Sequence, residues 1–173
     1  MSEKKRKKVQ RTPHNVVFIT RVNKDNGYLC KNFHLPFSAS GVSFTSSSQY
    51  YLWCKQQMFD KKNKRLEEEI LGSESSRALE KCNFKIKNYD DVKWRKVRYS
   101  VLFTSAKLKL EQNPDFLKML LDTGDDTIIY ASRVDYEDGI GISEESFKDG
   151  VRCFGKNNLG KVCMEIRNEF RKK

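Results

Sequence analysis

Residues 45–59 read TSSSQYYLWCKQQMF, and the fold class turns on this stretch. Tyr51, Leu52, Met58 and Phe59 recur at helical spacing on one face, and Ser46 stands where a capping hydroxyl is needed. Immediately before it, 36–44 (PFSASGVSF) alternates around Ser40-Gly41, which predicts a tight hairpin. Residues 15–20 (NVVFIT) are apolar and β-rich, so a strand is expected there. On the other side, 64–71 and 75–82 read as two shorter helices separated by Gly72-Ser73. Residues 90–111 predict a long helix with Trp94, Val97, Val101 and Leu102 at core spacing. Asn113-Pro114 is an N-cap and first-turn pair opening a helix that Gly124 ends. A strand over 127–131, a glycine loop over 138–141 and a last helix over 157–170 complete the chain, with Val162, Ile166 and Phe170 inward. The class is α+β: a helix-dominated single domain with a small β-sheet.

A length of 173 residues suits one domain, and with 33% charged and 38% apolar residues the composition is that of a globular chain. No apolar run approaches the roughly 20 residues of a spanning helix, so no membrane partner is expected. No hydrophobic segment follows the basic start, so no secretory signal is expected either. Five cysteines, odd in number and without a CxxC pair, accompany only two histidines. That supports neither a disulfide framework nor a zinc site, and it points to a reducing, intracellular compartment, nucleus or cytoplasm. No metal and no cofactor is expected.

The net charge is +11. Residues 1–11 hold six basic side chains against Glu3, leaving 28 basic against 22 acidic in the rest. Lys4, Lys5, Arg6, Lys7 and Lys8 form a run that reads as a nuclear-import or phosphate-binding tail, or as a solvated tail that only aids solubility. Residues 1–13 are therefore expected to be a basic flexible tail, and 14–173 the domain.

Two cations fall on predicted apolar faces. Lys55 stands four residues after Tyr51, and Arg98 four after Trp94. Long basic side chains commonly snorkel, the stem covering apolar surface and the head reaching water. Two of them on separate helices also fit a shared pocket for an anionic or electrophilic ligand. A partly desolvated lysine there would have a lowered pKa and could act as a nucleophile.

In sequence order, the chain resembles the NADAR family, with its YbiA-like N-glycosidases, from about 18 to 167. Asn32-Phe33, Pro36-Phe37 and Gly41 match the family's SNF…PF…G opening. Ser46, Gln49 and Lys55 match S-x-E-[HQ]-x5-K, and Trp94 with Arg98 matches W-x3-R, echoed by Lys109 and Gln112. Leu120, Leu121 and Thr123-Gly124-Asp125 match LL-x-TGD, and Asp135, Gly139 and Gly141 match D-x2-W-G-x-G. Gly155, Asn157, Leu159, Gly160, Met164, Ile166 and Arg167 match the closing segment. Each piece is weak alone; seven in order are specific. The resemblance implies a NADAR/YbiA-like fold and an N-glycosidase acting on nucleotide-type substrates. Some members resolve ADP-ribose attached to guanine, and others split riboflavin precursors.

The same resemblance assigns the site. Lys55 (nucleophile or electrostatic clamp) and Asp135 (acid) would be catalytic. Ser48, Gln49, Trp94, Arg98, Asn32, Phe33, Gly139 and Asn157 would bind substrate. The departures bear on activity: the family's helix glutamate falls on Ser48, and its loop tryptophan on Asp138. Its AK-x-LGR segment falls on 79–84, with Glu80 for lysine and Asn83-Phe84 for glycine-arginine. Cleaving an N-glycosidic bond builds positive charge at the anomeric carbon, which a carboxylate stabilises and a serine cannot. Two expectations follow. One is a catalytically weakened or inactive NADAR-fold module that binds an ADP-ribose-like nucleotide, a nucleic acid or a protein partner. The losses favour this reading; the alternative is an active N-glycosidase hydrolysing ADP-ribosylated guanine or a related bond. An unrelated RNA-binding domain is disfavoured, because no RNP pattern, GXXG clamp or zinc knuckle is present.

Overall fold

Two strands far apart in sequence pair in parallel: β1 (Val16–Ile19) lies beside β4 (Thr127–Tyr130), with Val16 opposite Thr127 and Ile19 opposite Tyr130. A parallel pair needs a crossover, and here nearly the whole helical body supplies it. The computed structural model describes residues 15–172, so the basic run from Lys4 to Lys8 lies outside the described residues. The order after β1 is a 3-10 turn (Gly27–Leu29), β2 (Phe37–Ala39), β3 (Val42–Phe44), α1 (Ser47–Phe59), α2 (Lys64–Leu71) and α3 (Ser76–Lys85). Then come α4 (Asp91–Glu111), α5 (Pro114–Asp122), β4, α6 (Glu144–Lys148) and α7 (Asn158–Arg171). The α+β class stands, with its small sheet split into the parallel pair and a separate antiparallel hairpin of β2 and β3.

Local chemistry explains most element boundaries. Ser40 and Gly41 both take positive φ (51° and 78°), as a two-residue hairpin turn requires. Ser46 caps α1 by accepting from the Gln49 N–H, and Ser75 and Asp90 cap α3 and α4 in the same way. Thr123 ends α5, and Gly124 follows it at φ 58°.

Three expectations are corrected. Met58 is 44% exposed and turns away from the core, because the buried face of α1 runs through Ser47, Gln49, Leu52 and Gln56. Asn113 occupies the cap position of α5 without capping it; its amide donates instead to the carbonyls of Pro36 at 3.0 Å and Lys109 at 2.7 Å. Helix α3 runs on to Lys85, and the one-turn α6 was not anticipated.

Helix α4 is the central strut, packed against α1, α7, α5 and β2. The main core joins Ile19 and Ile128 of the parallel pair to Leu102, Leu110, Leu120, Leu159, Val162 and Ile166. A second core holds α1, α2 and α3 together through Leu52, Leu66, Ile70, Leu79 and Cys82. A third tucks Ile140 and Ile142 of the loop after β4 against Ile129 and Ala131. These three anchor points bring one face of α1, the start of α4 and the loop 132–141 together. No described helix is long and apolar enough to cross a membrane.

Candidate functional site

On α1, Ser48, Tyr51 and Lys55 are spaced at three and four residues and so share one face. Lys55 Nζ donates to Asn83 Oδ1 of α3 at 2.8 Å and lies 3.9 Å from the centre of the Tyr89 ring. Both partners are uncharged. Burial lowers the Lys55 pKa from its ordinary value, and Asp91 only partly offsets this. Tyr51 meets the Trp94 ring edge-on at 5.0 Å, with Lys31 Nζ 5.7 Å from its own ring. Burial, with Asp138 adding to it, pushes the Tyr51 hydroxyl up to about 12.

Opposite this face stands the loop after β4. Asp135 Oδ1 accepts from the N–H groups of Glu137 at 3.1 Å and Asp138 at 2.8 Å, which closes a tight turn. That turn presents three carboxylates to three cations. Asp138 pairs with Lys31, whose ammonium is also 3.7 Å from Asp135 Oδ2. Glu137 pairs with Arg98 and, at 3.0 Å, with Lys156. Burial works against charge on Lys31, but Asp138 and Asp135 outweigh it and push its pKa above the usual range. The Glu137 carboxyl is held below its ordinary value, first by its bond with Arg98 and then, against burial, by Lys156.

The residues expected from the sequence divide into two groups. Ser48, Arg98 and Asp135 lie along the junction of α1, α4 and the loop, whereas Lys55 is held on the α3 side by Asn83; the Ser48 N–H donates to the Lys31 carbonyl at 2.9 Å. The others have visible structural employment. Gln49 is fully buried, accepting from Thr45 and donating to the carbonyls of Ile70, Leu71 and Ser73, so it locks the turn between α2 and α3. Trp94 is 4% exposed and lies between Tyr51 and Phe59. Phe33 packs against Phe116, and the exposed Asn32 donates to Ser76 Oγ at 3.2 Å. Gly139 uses its carbonyl to accept from the Asn157 N–H at 3.0 Å. Asn157, in left-handed conformation, accepts from Tyr130 N–H at 2.9 Å and donates to Ile128 O at 2.9 Å. It pairs with β4 as a neighbouring strand would.

Lys31, Glu137 and Tyr89 were not singled out from the sequence. A lysine directly before the matched Asn32-Phe33, and an aspartate where the family carries tryptophan, were the available signals for the Lys31–Asp138 pair. A sizeable hollow lies elsewhere. About 470 Å3 in size, it is lined by Thr20, Arg21, Arg133 and Ser143 beyond the ends of β1 and β4. None of the expected residues lines it, and its arginines are exposed. Cation–carboxylate chemistry and partial burial single out the α1–loop junction instead.

Comparison with known proteins agrees with this architecture. The NADAR domain family matches over residues 17–171. The chain is 38% identical over 87 residues to N-glycosidase R617 of Acanthamoeba polyphaga mimivirus, covering 49% of this chain and 51% of that protein. It is 25% identical over 154 residues to riboflavin biosynthesis protein VVA0006 of Vibrio vulnificus (strain YJ016), covering 89% of this chain and 38% of that protein. The chain thus spans about half of the first relative and less of the second. The NMR structure of the Escherichia coli protein YbiA superposes with a TM-score of 0.75 at 19% identity, over 94% of this chain and 88% of that one. That likeness concerns the fold.

Proposed function

The chain belongs to the NADAR family, and from that premise we propose that it is an N-glycosidase that binds a nucleotide carrying a ribosyl group, with ADP-ribosylated guanine as the leading substrate class. The observation that carries this reading is the state of Lys55. Its amine is half-buried, bonded to neutral Asn83, and lowered in pKa, on the same face of α1 as Ser48 and Tyr51. A lysine in such surroundings is a better nucleophile than an exposed one, because more of it is uncharged at neutral pH.

Neutral Lys55 Nζ bonds to the anomeric carbon while the carbon–nitrogen bond to the base breaks. The electron pair of that bond leaves on the base nitrogen, which takes the proton shed by the new ammonium. The remaining N–H proton passes to the ring oxygen as the sugar opens to a Schiff base. Water adds to that carbon, releasing free sugar and restoring the amine. Tyr51, beside Trp94, and Tyr89, beside Lys55, would flank the bound sugar, and Arg98, already balanced by Glu137, would lie on its α4 side.

A second reading is favoured by Ser48, which offers no carboxylate: a module that binds the nucleotide, a nucleic acid or a protein partner and turns over slowly or not at all. One experiment separates the two. ADP-ribosylated guanosine, free and within an oligonucleotide, is incubated with the chain, and released ADP-ribose is measured with and without borohydride. Release, together with a reduced lysine adduct that is absent in Lys55→Ala, is the expected result. Binding without release would leave the module reading; release unaffected by Lys55→Ala would remove Lys55 as nucleophile.

A further inference from the structure

We propose that Asp138 is a further catalytic residue, the carboxylate that faces the positive charge developing at the anomeric carbon; this rests on the glycosidase reading above. Helix α1 carries only a hydroxyl at Ser48, one turn before Tyr51. The backbone at that point is tied to Lys31, since the Ser48 N–H donates to the Lys31 carbonyl at 2.9 Å. The Lys31 side chain returns over the Tyr51 ring and ends in its ion pair with Asp138. The loop therefore delivers a carboxylate to the same helix face on which α1 itself lacks one.

Three features suit Asp138 to the task better than its neighbours. Its side chain is 12% exposed, enough for one oxygen to meet a ligand and little enough to be shielded from bulk water. A charge in such a place acts more strongly than one in solvent, and it costs no reorganisation as the reaction proceeds. Asp135 is committed through Oδ1 to two backbone N–H groups, and Glu137 is divided between Arg98 and Lys156. Asp138 has its own backbone fixed by that Asp135 turn, so its carboxylate is aimed before any ligand arrives. Lys31 balances the charge in the resting site, which lets the acid sit half-dry without a partner from the substrate.

The test reads charge recognition and does not depend on turnover. Two probes are titrated calorimetrically at neutral pH: ADP-ribose, and ADP-(hydroxymethyl)pyrrolidinediol, whose protonated ring nitrogen imitates the oxocarbenium charge. The unmodified chain should bind the cationic probe at least tenfold more tightly than ADP-ribose. Asp138→Asn should abolish that preference while ADP-ribose affinity stays within about twofold. Because removing one member of a buried ion pair can unfold a protein, Lys31→Met/Asp138→Asn is measured beside it and should show the same loss. A preference that survives in either folded variant overturns the role of Asp138 and leaves the glycosidase reading standing. So does a parallel loss of ADP-ribose affinity, which would make Asp138 an anchor for the ligand. Failure of the unmodified chain to bind either probe overturns both.

Discussion

Lys109 reaches out of the middle of the molecule to the backbone that carries Lys31: its ammonium donates to the carbonyls of Tyr28 at 2.8 Å and Cys30 at 3.0 Å. The residue is 1% exposed, and no carboxylate pairs with it among the described residues. It fixes the chain immediately before the cation that meets Asp138, so a core residue and the candidate site are mechanically joined.

Burial pushes the Lys109 pKa down from 10.5 to about 8. Below pH 8 its charge opposes folding by about 3 kcal/mol in proton linkage. From about pH 8 to 10.5 the unfolded chain holds a proton that the folded chain has released, so this group's contribution to stability rises with pH. Cys163, pushed up to about 12 by burial, acts in the opposite sense above its ordinary range, in any variant that retains it. Urea melts of the unmodified chain and Lys109→Met between pH 7 and 10 should therefore diverge, the unmodified chain gaining relative stability as pH rises. A constant difference would mean that Lys109 keeps its proton.

Asn157 and Gly160 should behave as structural residues. Removing the Asn157 amide leaves Tyr130 N–H and Ile128 O without their partner, at about 2–4 kcal/mol for the two groups. A methyl group at Gly160 would lie 2.3 Å from the Ile128 carbonyl oxygen, a backbone atom that cannot yield without moving β4. Asn157→Ala and Gly160→Ala should each lower the melting transition clearly, and ADP-ribose affinity of the folded fraction should be little changed. An unaltered melt with lost affinity in Asn157→Ala would return Asn157 to the ligand.

Deleting residues 2–11 removes five net positive charges. The melting transition should hardly move, since a like-charge run contributes no core. The slope of nucleic-acid affinity against salt should fall, because fewer counterions are released on binding. Equal slopes with and without the segment would show that it does not touch phosphates.

What the sequence disclosed was mainly what is decided locally. The Ser46 cap, the Ser40-Gly41 turn and the helix over 64–71 each depend on a few adjacent residues, and each stands where the pattern put it. The parallel pairing of β1 with β4 joins segments more than a hundred residues apart and leaves no periodic trace in either. The family resemblance implies substrate contacts at Gln49 and Asn157, and the folded chain adds a structural part for both. Their partners are backbone groups of α2, the turn after it, and β4, which only the folded chain reveals. Lys31 and Asp138 lie 107 positions apart, so their pairing had to wait for the loop to be seen against α1.

The most direct probe of Lys55 is its neighbour. Asn83 Oδ1 accepts from Lys55 Nζ at 2.8 Å and contributes no charge. In Asn83→Asp a carboxylate of nearly the same shape would occupy that place and stabilise the ammonium, raising the Lys55 pKa. If the neutral amine attacks the sugar, the rate climbs with pH as Lys55 loses its proton, and the variant should move that limb to higher pH. At neutral pH its turnover should fall about tenfold or more, since one pKa unit costs a factor of ten in free amine. ADP-ribose affinity need not follow. Asn83→Ala removes the bond without adding charge and should leave the limb near its original position, separating electrostatics from packing. The measurement is kcat across pH for the three proteins, with borohydride trapping at each pH as a second readout. A profile unmoved by Asn83→Asp, with trapping equally unmoved, would mean that proton loss from Lys55 is not part of the reaction.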